Sequence, residues 1–320
     1  MIMPIRSLPH FFLLVFGLAA CVNLPGKPVS AVREIDLEKS DVPVRKDWAE
    51  GQRVKVIVTP VEGSDFQAVR HSQLDALLSR GLERAVDEAG AEVIDRALAS
   101  RLRDELRLAE ARGSGSFDGP AVAHFAVKAS FDKVAVNSLR EEKGIFSKLI
   151  SKKDEPPVYR HQLVVEGSVR VYELPNMRLL QTLQFSESFA DENASPGLPN
   201  VDARLRDAFE KAFVRIRSDF KNLIAPRGAV LRKGMTESGV VFQVMIGREH
   251  RVEPRSKVRI VSLAASGEER TVAEATVTAD IGPRSAWVSV GDPQAAAKIR
   301  EGDLGRLIID DSLLGKLKVW

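Results

Sequence analysis

Two spacings of apolar residues divide the chain beyond residue 50. Val54-Lys55-Val56-Ile57-Val58 is a β-branched run closed by Thr59-Pro60 and predicts a central strand. From Arg70 to Glu88 the spacing changes to that of a helix, with Leu74, Leu77, Leu78, Leu82 and Ala85 on one stripe and Gly90 placed as a C-cap. Glu92 to Asp95 predicts a short strand. A second helix from Arg96 to about Ala111 turns Leu98, Leu102 and Leu106 inward and stops at Gly113-Ser114-Gly115. Residues 121–137 and 158–174 predict two long strands, and 177–188 a third after a tight turn at Pro175-Asn176. In the middle strand Val164, Val169 and Val171 mix with Glu166, Ser168 and Arg170, the pattern of a sheet with one wet face. A helix over 201–223, carrying Leu205, Phe209, Phe213, Ile216 and Phe220, is expected to cover the other face. Pro226 ends it.

Beyond Arg227 only short β-runs follow, at 228–231, 240–246, 257–263, 271–279, 285–290 and 304–309. Their close spacing predicts a small closed barrel or sandwich. The expected fold class is therefore an α/β (α+β) domain, helices packed on a mixed sheet, followed by a small all-β barrel-like domain. The boundaries read as an α/β domain at 51–225, a β-domain at 226–310 and a tail at 311–320.

The first 50 residues follow neither spacing. Arg6 and His10 precede an apolar stretch from Phe11 to Leu18 and the small pair Ala19-Ala20, which is the layout of an export signal and too short to span a bilayer. Leu18-Ala19-Ala20-Cys21 resembles the lipobox of bacterial lipoproteins. That resemblance implies a signal peptide at 1–20 and lipidation of Cys21 with acyl chains of the palmitate kind. Each buried CH₂ contributes about 0.8 kcal/mol, so several chains hold a protein durably on a membrane. Val22 stands where an Asp would direct retention in the inner membrane, which implies the periplasmic face of the outer membrane. From Cys21 to Glu50, Pro25, Pro28 and Pro43 and alternating charges read as a lipidated tether. Trp48 is expected to pack on the first strand.

Composition narrows the chemistry. Cys21 is the single cysteine, so the part beyond it has no disulfide and no thiol for catalysis or metal binding. A 44% hydrophobic share suffices for two modest cores, and a net charge of +3 gives no argument for nucleic acid. Gly113, Gly115 and Gly119 follow a helix and precede a strand, the reverse of a phosphate-binding context. Ser218 and Lys221 form an S-x-x-K pair inside the last helix, where a solvated face explains them. His124 and His161 could face each other across the long strands, while His71 and His250 stand alone, without metal-ligand spacing. No acid/base pair stands out among the carboxylates. The expectation is no enzyme, no cofactor and no metal.

The order strand, helix, strand, helix, long hairpin, helix over about 53–225 is similar to the curli-type secretion and assembly lipoproteins (CsgG-like). The matching residues are Cys21, the strand Val54 to Val58, Val93-Ile94-Asp95, and the run from Gln162 to Tyr172 followed by Leu179-Leu180-Gln181-Thr182. The amino-terminal domain of TolB and the peptidoglycan-synthase activator lipoproteins share this plan. Pore-forming members of the family insert two long hairpins, each strand needing roughly 9 to 11 residues of alternating polarity. Here the connections at 138–157 and about 190–199 are charged, short and interrupted by proline, so neither can form that pore. Val252 to Ile260 and Ile299-Arg300-Glu301-Gly302-Asp303 resemble the carboxy-terminal module of the flagellar-assembly protein FlgT.

Within the first connection Ile145, Phe146, Leu149 and Ile150 fall on one helical face, with Lys143, Lys148, Lys152 and Lys153 around it. Such a stretch is a candidate contact site for an anionic membrane or a protein partner. Two classes of function follow. One is a non-enzymatic assembly or scaffolding lipoprotein of an envelope complex, self-associating or docking protein partners. The other is a lipoprotein activator of a peptidoglycan synthase or another envelope enzyme.

Overall fold

The computed structural model describes residues 33–94, 96–112, 123–140, 157–237, 239–265 and 268–310. Its first body is a five-stranded mixed sheet in the order β3-β2-β4-β5-β6. The strands are β2 (Lys55–Val58), β3 (Glu92–Val93), β4 (Phe125–Arg140), β5 (Tyr159–Glu173) and β6 (Arg178–Asn193). β2 pairs in parallel with β3 on one side and β4 on the other, and β4, β5 and β6 run antiparallel. Reversing the direction of travel at β2 puts the two crossover helices on opposite faces. Helices α2 (Gln67–Ser72) and α3 (Leu74–Glu88) share one face with α5 (Val201–Leu223), and α4 (Arg96–Arg112) lies on the other.

The helix predicted over 70–88 is in fact two. Gln73 adopts a left-handed backbone with φ 53°, and α5 braces the break: Ser72 Oγ donates to Asp202 Oδ1 at 2.7 Å and Arg206 Nε to the carbonyl of Ser72 at 3.0 Å. The core on this side joins Val56, Leu78, Leu82, Val127, Val165 and Val169 to Phe209, Phe213 and Phe220. Phe131, Phe185 and Phe209 meet edge-on or tilted, with centroids 5.9 to 6.0 Å apart, a favoured arrangement of aromatic quadrupoles. Val164 departs from the expected set, because it lies one residue out of phase with Val169 and Val171 and points to the opposite face. That face is not simply wet either. α4 covers its proximal half with Leu102 and Leu106 against Ile57, Ala126 and Tyr172. The side chain of Leu98 lies outside the described residues.

The second body is a closed antiparallel barrel. β7 (Arg227–Thr236), β12 (Leu304–Ile308), β9 (Lys257–Leu263), β10 (Glu269–Ile281), β11 (Ala286–Val290) and β8 (Gly239–Val244) pair in that order, and β8 returns to β7. Alternating residues such as Phe242, Val244, Val258, Ile260 and Val288 fill its interior.

The segment read as tether is partly folded. Arg33–Ile35 forms β1 and adds to the barrel along β7, with Arg33 opposite Met235 and Ile35 opposite Lys233. Ser40 N donates to the carbonyl of Glu301 at 2.8 Å, and Lys46–Ala49 forms a single helical turn, α1. Trp48 is 5% exposed, but it packs on Val261 and Leu304 of the barrel rather than on the first strand. The sequence patterning missed this because a strand of three residues and a one-turn helix carry no period.

Candidate functional site at the seam between the two bodies

Two buried polar side chains, His124 and Arg227, lie where α1, the first sheet and the barrel meet. His124 precedes β4 and is buried. Its Nδ1 accepts from the backbone N–H of Lys55 at 2.9 Å, which puts the ring proton on Nε2, and Nε2 lies 2.5 Å from Asp47 Oδ2. Arg45 Nη2 holds the same carboxylate oxygen at 3.0 Å. Burial pushes His124 below its usual 6.5, against the opposing charge of Asp47. For Asp47 burial works upward, but the bond and charge of Arg45, followed by those of His124, outweigh it and hold the carboxyl below its ordinary value.

Trp48 stacks on His124 with centroids 6.5 Å apart, and the guanidinium groups of Arg45 and Arg227 lie 5.1 and 5.8 Å from its ring centre. Arg227 opens β7 directly after Pro226 and is itself buried. Its Nη1 pairs with Glu269 Oε1 at 2.9 Å, while Arg306 Nη1 takes Glu269 Oε2 at 3.2 Å. Arg227 Nη2 donates to the carbonyl of Leu223 at 3.3 Å, and Arg306 Nη2 to that of Asn222. These two carbonyls belong to the last turn of α5, where the helix dipole is negative and its C=O groups lack helical partners. The barrel thus caps the longest helix of the first body with two arginines bridged by one glutamate. Burial, then the neighbouring charge of Arg306, pushes Arg227 down to about 10, with Glu269 opposing, so it remains charged at neutral pH. A cleft of about 340 Å³ opens beside these groups, between Arg45, Glu173, Pro175, Arg178 and Leu263.

A second cluster pins α4 to the sheet. Lys128, buried on β4, lies 2.6 Å from Glu110 Oε2 and 3.3 Å from Glu62 Oε2. Glu110 also accepts from Arg170 Nη1 at 3.0 Å and from the Tyr172 hydroxyl, and Arg107 Nε reaches Glu62 at 2.7 Å. Burial alone would raise Glu110, but the donors Lys128, Tyr172 and Arg170 hold it below its ordinary value. Burial and then Glu110 push the Tyr172 phenol upward.

The expected polar residues are placed differently from their sequence reading. His124 and His161 do not face each other; they lie at opposite ends of the β4–β5 pair, since Phe125 registers with Glu173 and Ser138 with His161. His161 is buried, its Nδ1 2.7 Å from Ser138 Oγ and its Nε2 3.1 Å from both Asn193 Oδ1 and the Ser195 carbonyl. It closes the far end of the hairpin ribbon. Lys221 is not on a solvated face: it is buried and pairs with Glu88 Oε2 at 2.8 Å, beside Arg217, which bonds the same carboxylate. Ser218 Oγ donates to the carbonyl of Ile309 at 3.4 Å. Leu18, Ala19, Ala20 and Cys21, the glycines at 113, 115 and 119, and Ile145, Phe146, Lys148, Leu149, Ile150 and Lys152 lie outside the described residues.

Chemically, the seam is a clamp. Both nitrogens of His124 are engaged by the protein, Nδ1 by the Lys55 N–H and Nε2 by Asp47. Among the described residues no group of three or more His, Cys, Asp or Glu is disposed to hold a metal ion, and no helix is long and apolar enough to cross a membrane. Sequence reasoning missed Asp47, Arg227, Glu269, Arg306 and the Lys128 cluster. The available signals were a charge inside an apolar run, as in Phe125-Ala126-Val127-Lys128-Ala129, and a tryptophan in a polar segment.

No protein-family model and no curated protein sequence matches the chain. Solved structures similar to it include the hypothetical protein CT253 from Chlamydia trachomatis, with 13% identity, 52% of this chain and 98% of that chain covered and a TM-score of 0.30. Lipoprotein GNA1162 from Neisseria meningitidis matches at 10% identity over 51% of this chain and 99% of that one, TM-score 0.24. The PelC dodecamer from Paraburkholderia phytofirmans matches at 10% over 57% and 94%, TM-score 0.22. TM-scores at this level do not establish a shared fold.

Proposed function

We propose that the chain is an envelope lipoprotein, lipid-anchored through Cys21 at the periplasmic face of the outer membrane, that works as a non-enzymatic assembly component. The lipobox residues Leu18 to Cys21 support the anchor. The observation that supports assembly over catalysis is the use made of buried polar groups: His124, His161, Lys128, Lys221 and Arg227 are all engaged by partners from other elements of the fold. Such a framework holds surfaces in place and suits binding.

The test is the mass of the acylated protein extracted in mild detergent, measured by light scattering. A discrete species heavier than one chain is expected, whether self-assembled or with a partner protein; a single-chain mass overturns the assembly reading. Cys21→Ser is expected to move the protein from the membrane to the soluble fraction, and retention in the membrane overturns the anchor.

A further inference from the structure

The two bodies treat their sheet edges differently. The barrel closes on itself, and the β3 edge of the first sheet is two residues long. The opposite edge, β6, has 16 residues, and no strand among the described residues pairs with its outer side. From Gln181 to Asn193 it runs in unbroken register with β5. That stretch contains no lysine, no proline and no bulge, the devices that usually protect an exposed edge. Arg215 donates to the Ser186 carbonyl at 3.1 Å and pairs with Glu187 at 2.6 Å through a side chain that is 63% exposed, and Arg204 pairs with Asp191 at 2.9 Å. Leu183 and Phe185 point into the core, whereas Thr182, Gln184, Ser186, Ser188 and Ala190 are small or neutral and exposed.

We propose that the β6 edge pairs antiparallel with β6 of a second copy of this chain, about a two-fold axis at Ser186. This rests on the assembly reading above and names its contact. The argument for a second copy is self-complementarity. An antiparallel pairing centred on Ser186 sets Phe185 opposite Glu187, Gln184 opposite Ser188, Leu183 opposite Phe189, Thr182 opposite Ala190, Gln181 opposite Asp191 and Leu180 opposite Glu192. All three acidic residues of the strand meet uncharged partners across it, and the pairing requires the exposed Arg215 side chain to leave the Ser186 carbonyl to the second copy and keep its bond to Glu187. Phe189, 39% exposed with Arg204 over its ring, stands opposite Leu183 of the second copy. The same patch on both chains gives a closed, isologous contact.

The decisive experiment uses the full acylated chain in mild detergent. Ser186→Lys and Ser186→Glu each place like charges across the axis while leaving the monomer fold untouched, which far-UV circular dichroism checks. Wild type is expected at twice the single-chain mass, each variant alone at the single-chain mass, and an equal mixture of the two at the doubled mass again. Ser186→Lys retaining the wild-type mass overturns edge pairing and leaves the assembly reading standing. A single-chain mass for wild type overturns both. Failure of the mixture to recover, with both variants folded, overturns the axis at Ser186.

Discussion

The two faces of the five-stranded sheet are held by different forces. On the α3/α5 face, Phe131, Phe185, Phe209 and Phe213 join a continuous apolar core, and adhesion is by burial. On the α4 face the apolar contact is smaller, and the last turns of the helix are fixed by Glu110 with Lys128, Arg170 and Tyr172. Burial is non-directional and tolerates repacking, whereas a charged cluster demands each partner. The first face should therefore respond to volume and the second to pH.

The largest effect is expected on the apolar face. Phe209→Ala removes a ring that touches three others and should cost about 3–5 kcal/mol, read by urea denaturation. A loss under about 0.5 kcal/mol, the scale of an ordinary surface change, would show that α5 is not the main lid. Glu110→Gln should cost less, about 1–3 kcal/mol, because it weakens charged hydrogen bonds and leaves Lys128 with Glu62 alone.

The pH dependence has two windows. His124 and His250 have folded values pushed below 6.5, first by burial, so the unfolded chain takes up their protons more readily. Their contribution is present above 6.5 and declines as pH falls from there toward the folded values. Glu110 and Glu88, lowered from 4.5, and Asp47, lowered from 3.8, contribute above those values and lose that contribution as pH falls below them. Denaturation midpoints measured from pH 8 to 3 should fall in both windows; His124→Gln should reduce the slope in the upper one and Glu110→Gln that in the lower one. A profile of His124→Gln that keeps the full slope between 7 and 5 would remove His124 from this account.

The smallest effect is expected at Arg160–Glu192, paired at 2.9 Å with both side chains more than half exposed. Arg160→Ala should change stability by less than about 1 kcal/mol, and added salt should erase the difference.

Period and punctuation made most of the fold legible. The helix over 201–223 and the strand over 257–263 coincide with their observed bounds, and Pro175-Asn176 lies between β5 and β6. Gln73 was not legible, because nothing in its chemistry demands a left-handed backbone; the contacts of Ser72 with α5, 130 residues away, hold it. The seam was hidden for the same reason. Asp47 and His124 are 77 residues apart and Arg227 and Glu269 are 42 apart, and no spacing rule reaches that far.

The docking of β1 on β7 shortens the leash. With Cys21 as the anchor, the chain between it and Arg33 can extend at most about 40 Å, at roughly 3.3–3.6 Å per residue. Were no residue before Glu50 docked, that upper bound would be more than twice as long. Arg33 enters the fold on the barrel, opposite Met235. The proposed anchor at Cys21 would therefore moor the barrel side, where Arg33 enters the fold.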